Sequence, residues 1–498
     1  MAGEPLLLAV DQGTTGTTCL LMTADGRIRH RAYRPVDVRF PAEGWVEQDA
    51  MALWSTVRET AREALDAAGD APVAALGLTN QRETLVVFDR RTLEPVFPAI
   101  VWQCRRSVDI CEEHRSRGDE PELRRRTGLL LDPYFTATKL EWLFRARPEL
   151  RDRAARGELC AATVDGWLTA RLTGGATVVT DAGNASRTLL FDIATGDWAD
   201  DLCACFDVPR GVLPEVCDST GHVATTHPDA FLGRSIRVTG IAGDQQAALF
   251  GQGCVTPGMT KNTYGTGSFV LANAGVAPPT PVHGLLGTVA WRIGGRTAYA
   301  LEGSIFVTGA ALSWLRDGLR LIEQTSDAGP LFESVPDTRG CHFVPALSGL
   351  GAPWWDPLAR GAFVGLTAGV TRAHLVRAVV EAMAFRTRDV VEAMERSGGV
   401  RVSELRVDGG ASVMDGLCQF QADLLGIPVA RAESTEATAL GAGLLAALGA
   451  GLIEEEQQAA RLWRAGRRFE PSSPGQRPAE PYEAWLDAVA RVRGGNPP

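Results

Sequence analysis

This sequence predicts an α/β protein of two domains with a cleft between them, and three observations predict it. The chain has 498 residues, more than the roughly 250–300 at which one hydrophobic core stops growing. A strand, a polar glycine-containing elbow and a second strand open the chain, and the same unit recurs near residue 260. Segments of helical periodicity follow each unit, the alternation expected when helices cover a sheet.

Taken in order, the first unit is Leu6–Val10, the turn Asp11-Gln12-Gly13-Thr14-Thr15-Gly16, and Thr17–Met22, reversed at Asp25-Gly26. A helix is predicted from about Asp49, an N-cap residue type, because Met51, Leu53, Trp54, Val57, Ala61 and Leu65 fall near helical spacing. Strands are predicted around Ala74–Leu78, Thr84–Phe88 and Ala99–Trp102. The second unit runs Thr260-Lys261-Asn262-Thr263-Tyr264-Gly265-Thr266-Gly267-Ser268 into the apolar Phe269–Leu271. A long amphipathic helix at 371–397 follows. A short strand, Leu405–Val407, then enters Asp408-Gly409-Gly410-Ala411, and another helix covers Ala437–Leu448. The boundary belongs near Gly251 to Thr260, which divides the chain into 1–252 and 253–498. Residues 468–482, rich in Pro, Glu and Arg, read as a surface linker before a last short helix.

Composition narrows the function. Hydrophobic residues at 45% and charged residues at 22% are ordinary for a globular protein, which excludes disordered and fibrous classes. The net charge is −10, and Arg105-Arg106 and Arg124–Arg126 are short runs flanked by acids, so no nucleic-acid partner is expected. No run of about 18 apolar residues and no cleavage-like leader is visible, so no membrane span is expected and the location expected is cytoplasmic. Ten cysteines without a pair of CxxC units, and seven scattered histidines, suggest reduced thiols and structural or surface imidazoles rather than a zinc cage or a disulfide framework.

The turns carry the chemistry. Glycines let backbone N–H groups face an anion closely, threonine hydroxyls add donors, and Asp11 can hold magnesium through water. A polar hairpin turn uses the same residues, so repetition decides: Tyr264–Ser268 and Asp408-Gly409-Gly410 offer two more such elbows at strand ends. Gly253–Thr260 imitates a P-loop, but Met259 occupies the place of the lysine, which excludes that reading.

Beyond these turns, ordered blocks along nearly the whole chain resemble the glycerol kinase branch of the FGGY carbohydrate kinases. They include Gly44-Trp-Val-Glu, Thr79-Asn-Gln-Arg-Glu-Thr, Ile100-Val-Trp-Gln-Cys-Arg-Arg, Asp132-Pro-Tyr-Phe, Asn184-Ala-Ser-Arg-Thr, Gly240-Ile-Ala-Gly-Asp-Gln-Gln, Lys261-Asn-Thr-Tyr-Gly-Thr-Gly, Gly349-Leu-Gly-Ala-Pro and Arg406-Val-Asp-Gly-Gly-Ala. The resemblance implies two actin-like (ribonuclease H-like) domains with an interdomain catalytic cleft, the first holding a polyol and the first phosphate turn, the second the nucleotide. It implies ATP and Mg2+ as cofactors, glycerol as the small-molecule substrate, glycerol 3-phosphate as product, and a homodimer or homotetramer.

By the same resemblance, Arg82, Glu83, Tyr134, Asp244 and Gln245 would grip the polyol, with Trp102 and Phe269 as walls. Asp244 would be the general base and Asp11 the metal residue. Thr14, Thr15, Gly16, Thr266 and Gly267 would cradle phosphates, and Gly309, Ser313, Gly409, Gly410 and Met414 would meet the rest of the nucleotide. The chain departs from the family at Thr18, where an arginine is common, at Ser313, where glutamine is frequent, and at Met414, where asparagine is usual. Control by fructose 1,6-bisphosphate or by a sugar-transport regulator is not expected, because the segments that serve it have no counterpart. Two other readings are a kinase for another polyol or sugar, such as erythritol or a ketopentose, and a non-catalytic nucleotide-binding regulator.

Overall fold

The computed structural model describes residues 4–280 and 284–493. Met1–Gly3 of the leading segment, and residues 494–498 of the segment expected to hold the nucleotide, therefore lie outside the described residues. Among the described residues, one sheet has six strands: β1 (Leu6–Gln12), β2 (Gly16–Thr23), β3 (Ile28–Pro35), β4 (Val73–Asn80), β5 (Thr220–Thr225) and β6 (Arg237–Gly243). Their spatial order is β5-β6-β4-β1-β2-β3. The elbow at 13–15 makes β1 and β2 antiparallel, and β3 continues the meander, while β4 and β6 lie parallel to β1.

A second sheet of seven strands repeats this plan with β7 (Thr260–Tyr264), β8 (Ser268–Gly275), β9 (Leu286–Ile293), β10 (Arg296–Ile305), β11 (Leu405–Asp408), β12 (Val429–Ala432) and β13 (Ala465–Phe469). The order is β9-β10-β8-β7-β11-β12-β13. Strands β10-β8-β7 form the antiparallel meander, and β7, β11 and β12 run parallel. In both sheets the parallel strands end at an edge where the polar elbows lie, the place where ligands gather in open α/β sheets.

Helix α1 (Ala50–Ala68) covers the first meander with Leu53, Trp54, Val57, Ala61, Ala64 and Leu65 buried, and the Asp49 carboxylate caps it by accepting from the Met51 N–H at 2.8 Å. Between β4 and β6 a separate layer contains α2 (Val108–Arg117), α3 (Glu120–Thr127), α4 (Thr136–Ala146) and α5 (Asp200–Cys205), with its own core of Leu129, Phe135, Leu140, Phe191 and Phe206. After β6 come α6 (Asp244–Gly251), α7 (Gly309–Asp317), α8 (Arg372–Gly398), α9 (Asp415–Leu425), α10 (Ala437–Gly449) and α11 (Glu480–Val492). No helix among the described residues is long and apolar enough to cross a membrane. The ten cysteines form no disulfide.

Helix α10 is apolar on every side, and although it lies late in the chain it packs on β6, β4 and β1 of the first sheet and against α6. Glycines permit this approach: a Cβ on Gly441 would fall 1.8 Å from the Ala247 carbonyl oxygen, and one on Gly77 would fall 2.1 Å from that of Ala442.

Three segments differ from their sequence expectations. The strand expected at Thr84–Phe88 is Val86–Asp89 and pairs with Leu159–Ala162 outside the main sheet, and Ala99–Trp102 shrinks to Ala99–Ile100. The Thr84 hydroxyl accepts from the Trp102 N–H at 3.2 Å and donates to Gln81 Oε1 at 3.0 Å, so these ends form a tied loop instead of a ladder. The stretch 468–482 is a linker only in its middle: Arg468 and Phe469 complete β13, and Tyr482 is buried in α11 beside Trp485.

Candidate active site

At the end of β4 the chain turns through Gln81-Arg82-Glu83, with Glu83 in the left-handed backbone region at φ 60°. Such a conformation costs of order 1–3 kcal/mol for a residue with a side chain and is held where surrounding contacts fix it. Here they do. The Arg187 Nε–H donates to Glu83 Oε1 at 2.7 Å, and Arg187 Nη2–H to Glu302 Oε1 at 3.0 Å. Arg82 donates to both oxygens of Glu302, at 2.6 and 3.1 Å. These four side chains are essentially inaccessible.

Asp244 extends this cluster toward solvent. It begins α6 directly after β6, its Oδ1 lies 3.2 Å from Arg82 Nε, and its side chain keeps 28% exposure while that of Arg82 keeps 1%. It is thus the reachable carboxylate of a network whose other members are sealed. It opens the first turn of α6, and the Gln245 N–H donates to its Oδ1 at 2.7 Å. Burial alone would raise the Glu302 carboxyl, but Arg187 and Arg82 outweigh it and hold Glu302 down at about 2.

Aromatic rings border the same cluster. The Trp102 ring lies 5.6 Å from Tyr134 and 6.5 Å from Phe269, both edge-on, and the Arg82 guanidinium sits 5.8 Å above Phe269. The Trp102 indole N–H donates to Thr14 Oγ1 at 2.9 Å, and Gln48 Nε2–H to the Thr14 carbonyl at 2.7 Å. Because an indole only donates, the Thr14 hydroxyl proton stays available to an anion. Gly16 closes the turn by accepting from Gly13 N–H at 2.9 Å, and the Thr15 carbonyl ties it to the end of β3 by accepting from Val36 N–H at 3.0 Å.

Asp11 is half-buried near the end of β1, and its inaccessible Oδ1 has no hydrogen-bond partner. Burial first, then the charges of Asp244 and Glu436, push its carboxyl up to about 8. An orphaned carboxylate oxygen crowded by other carboxylates is the donor chemistry that a hard divalent cation relieves, so the residues fit magnesium. Thr18 stands across from Asp11 on β2 and brings a neutral hydroxyl, not a cation, to this register position.

On the other sheet, the Gly265 carbonyl accepts from Gly309 N–H at 3.0 Å, and the Thr266 carbonyl from Thr308 N–H at 2.9 Å, so the second elbow is tied to the start of α7. A Cβ on Gly267 would fall 2.3 Å from Ile305 O, and one on Gly409, at φ 84°, would fall 2.5 Å from Tyr264 O. The three strand ends thus converge on backbone, and beside them opens a cavity of about 650 Å3 lined by Thr266, Gly309, Ser313, Gly410 and Met414.

Six of the expected polyol and base residues (Arg82, Glu83, Trp102, Tyr134, Asp244, Phe269) therefore form one contact cluster. Gln245 stands beside it but turns its side-chain oxygen to Lys261 Nζ at 2.5 Å. Sequence reasoning gave no role to Arg187, Glu302 or Lys261. Arg187 and Lys261 lie inside blocks that carried the family resemblance. The available signal for Glu302 was a lone carboxylate in the apolar run of β10.

Comparison with known proteins adds a second line. Models of the FGGY family of carbohydrate kinases match this chain over residues 6–251 (N-terminal domain) and 260–450 (C-terminal domain). The glycerol kinase of Dechloromonas aromatica is 50% identical over 490 residues, covering 98% of this chain and 97% of that protein. Among solved structures, Plasmodium falciparum glycerol kinase with ADP superposes with a TM-score of 0.92 at 31% identity, over 98% of both chains. Xylulose kinase from Rhodospirillum rubrum gives 0.85 at 25%, also over 98% of both. The fold is common to these kinases, and the two glycerol kinases named share more identity with this chain than the xylulose kinase does.

Proposed function

This chain belongs to the FGGY family of carbohydrate kinases, and on that premise we propose that it transfers the γ-phosphoryl group of ATP to a hydroxyl of glycerol. The observation that carries the reading is the partly open Asp244 carboxylate, seated beside Arg82 and the aromatic walls at the end of an otherwise sealed charge cluster.

A three-carbon triol has C–H faces and hydroxyl edges. Trp102, Phe269 and the Tyr134 ring meet the faces, while the partly open Asp244 carboxylate meets a hydroxyl edge, with Arg82 and Glu83 enclosed behind it and fixing its place. Asp244 accepts the proton of the attacking hydroxyl as its oxygen bonds to the γ-phosphorus, and the bond to the bridging oxygen of ADP breaks. Arg82 keeps that carboxylate oriented, and Arg187 and Glu302 keep Arg82 oriented. Magnesium bound with the nucleotide would neutralise phosphate charge, and Asp11 would hold it through water. Thr14, Thr266 and the glycine turns offer hydroxyls and backbone to the phosphates, and Gly309, Ser313, Gly410 and Met414 border the room for the nucleoside.

A regulator that only binds nucleotide needs neither an open carboxylate in the polyol cluster nor an unpartnered Asp11. The test is the rate of ADP release, compared as kcat/KM for glycerol, erythritol and xylulose under one set of conditions. Glycerol should lead by roughly 10-fold or more, the discrimination available from shape and hydroxyl pairing. A clear preference for a larger acceptor would overturn the choice of substrate.

A further inference from the structure

Away from the cleft, in the helical layer between β4 and β6, His114, Asp119 and Cys205 meet with one ligand atom each, all within 4.8 Å of one another. We infer that these three residues form a second, zinc-type metal site that staples α2 and α3 to α5.

The geometry supplies the first reason. His114 Nδ1 lies 2.7 Å from Asp119 Oδ2 and 3.7 Å from Cys205 Sγ, and Cys205 Sγ lies 3.9 Å from Asp119 Oδ2. Tetrahedral zinc with Zn–S near 2.3 Å and Zn–N near 2.0 Å separates such ligand atoms by about 3.3–3.5 Å. The sulfur distances are already within a few tenths of an ångström of that, and the His114–Asp119 pair needs to open by about half an ångström.

The outer contacts supply the second. The other ring nitrogen, His114 Nε2, faces Glu141 Oε2 at 2.9 Å, and Glu141 Oε1 accepts from Arg145 Nη2–H at 2.5 Å. A carboxylate on the far nitrogen fixes the tautomer that leaves Nδ1 free to bind metal. Arg145 balances the Glu141 charge, and the thiolate of Cys205 and the carboxylate of Asp119 balance a divalent ion.

The third reason is placement. Asp119 occupies the N-cap position of α3 yet makes no capping bond, and turns instead to the imidazole. His114 is fully buried, its ring tilted against Phe206 at 4.6 Å between centroids, while Cys205 and Asp119 are partly open and give a metal its way in. The scattered spacing of 114, 119 and 205 hides this group in the sequence, where no zinc pattern is legible.

Without a metal the same atoms would hold a histidinium between two carboxylates, so the test must separate the two states. Metal-stripped protein, free of nucleotide, is titrated with Co2+ and then with Zn2+. The expected result is one Co2+ per chain with a thiolate-to-cobalt charge-transfer band, displaced by Zn2+, and a rise in melting temperature with Zn2+. Cys205→Ser should remove the band and the thermal shift while leaving glycerol-dependent turnover unchanged, and Glu141→Gln should weaken Co2+ affinity by roughly 10–100-fold. Absence of the band in the wild type, or its persistence in Cys205→Ser, overturns the site.

Discussion

Glu302 accepts from both Arg82 and Arg187, and these three sealed charges set what each neighbour can do. Removing one partner of a buried ion cluster leaves uncompensated charge and costs about 3–5 kcal/mol. Glu302→Ala should therefore lower unfolding stability by that amount in a denaturant titration and reduce kcat through a loosened Arg82. The pH dependence has a defined sign. The folded-state value of Glu302 is about 2 against an ordinary 4.5, so its contribution is fully present above 4.5 and is lost as pH falls toward about 2.

Lys261 behaves in the opposite way. Burial pulls its ammonium down to about 8, against the raising pull of Asp408 and Asp244. Below about 8 folded and unfolded chains both carry the proton and the full cost of burying it is present. Between about 8 and 10.5 only the unfolded chain keeps the proton, so this residue's contribution becomes less unfavourable as pH rises. In the folded enzyme the cation beside Gln245 is lost as pH rises through about 8. The pH profile of kcat/KM for ATP should therefore fall above about 8, and Lys261→Met should lack that limb. At this scale the sequence showed Asp244 and Arg82-Glu83 through their blocks, but it could not show Glu302: a single acid in an apolar strand acquires meaning only when two arginines from other elements arrive beside it.

Elements were more legible than their partners. The repeated elbow predicts the two meanders, and the Asp49 cap predicts the start of α1, because both are local chemistry. Helix α10 was legible as a helix, yet its composition could not say which sheet it covers. Its glycines answer that only in three dimensions, where Gly441 meets Ala247 and Gly77 meets Ala442 backbone to backbone. Gly441→Ala should force α10 off α6 and cost about 1–3 kcal/mol, the usual range for overpacking, measured as a lowered denaturation midpoint. An unchanged midpoint would mean that this contact gives way freely.

At the scale of the molecule, two sheets of matching plan carry the site: Asp11 and Asp244 stand at strand ends of the first, Thr266 and Gly409 at strand ends of the second with the cavity beside Thr266, and Phe269 of the second sheet meets Trp102 at 6.5 Å between ring centroids. Solution scattering with a non-hydrolysable ATP analogue and glycerol together should give a smaller radius of gyration than the free protein, because closure expels water that would otherwise compete for the phosphoryl group. The most direct measurement compares wild type and Asp244→Asn in one glycerol-dependent ADP-release assay. A loss of roughly 10²–10⁴-fold in kcat, with nucleotide binding retained, is expected of a missing general base. Equal turnover by the two proteins would contradict the assignment of Asp244 and the reaction built on it.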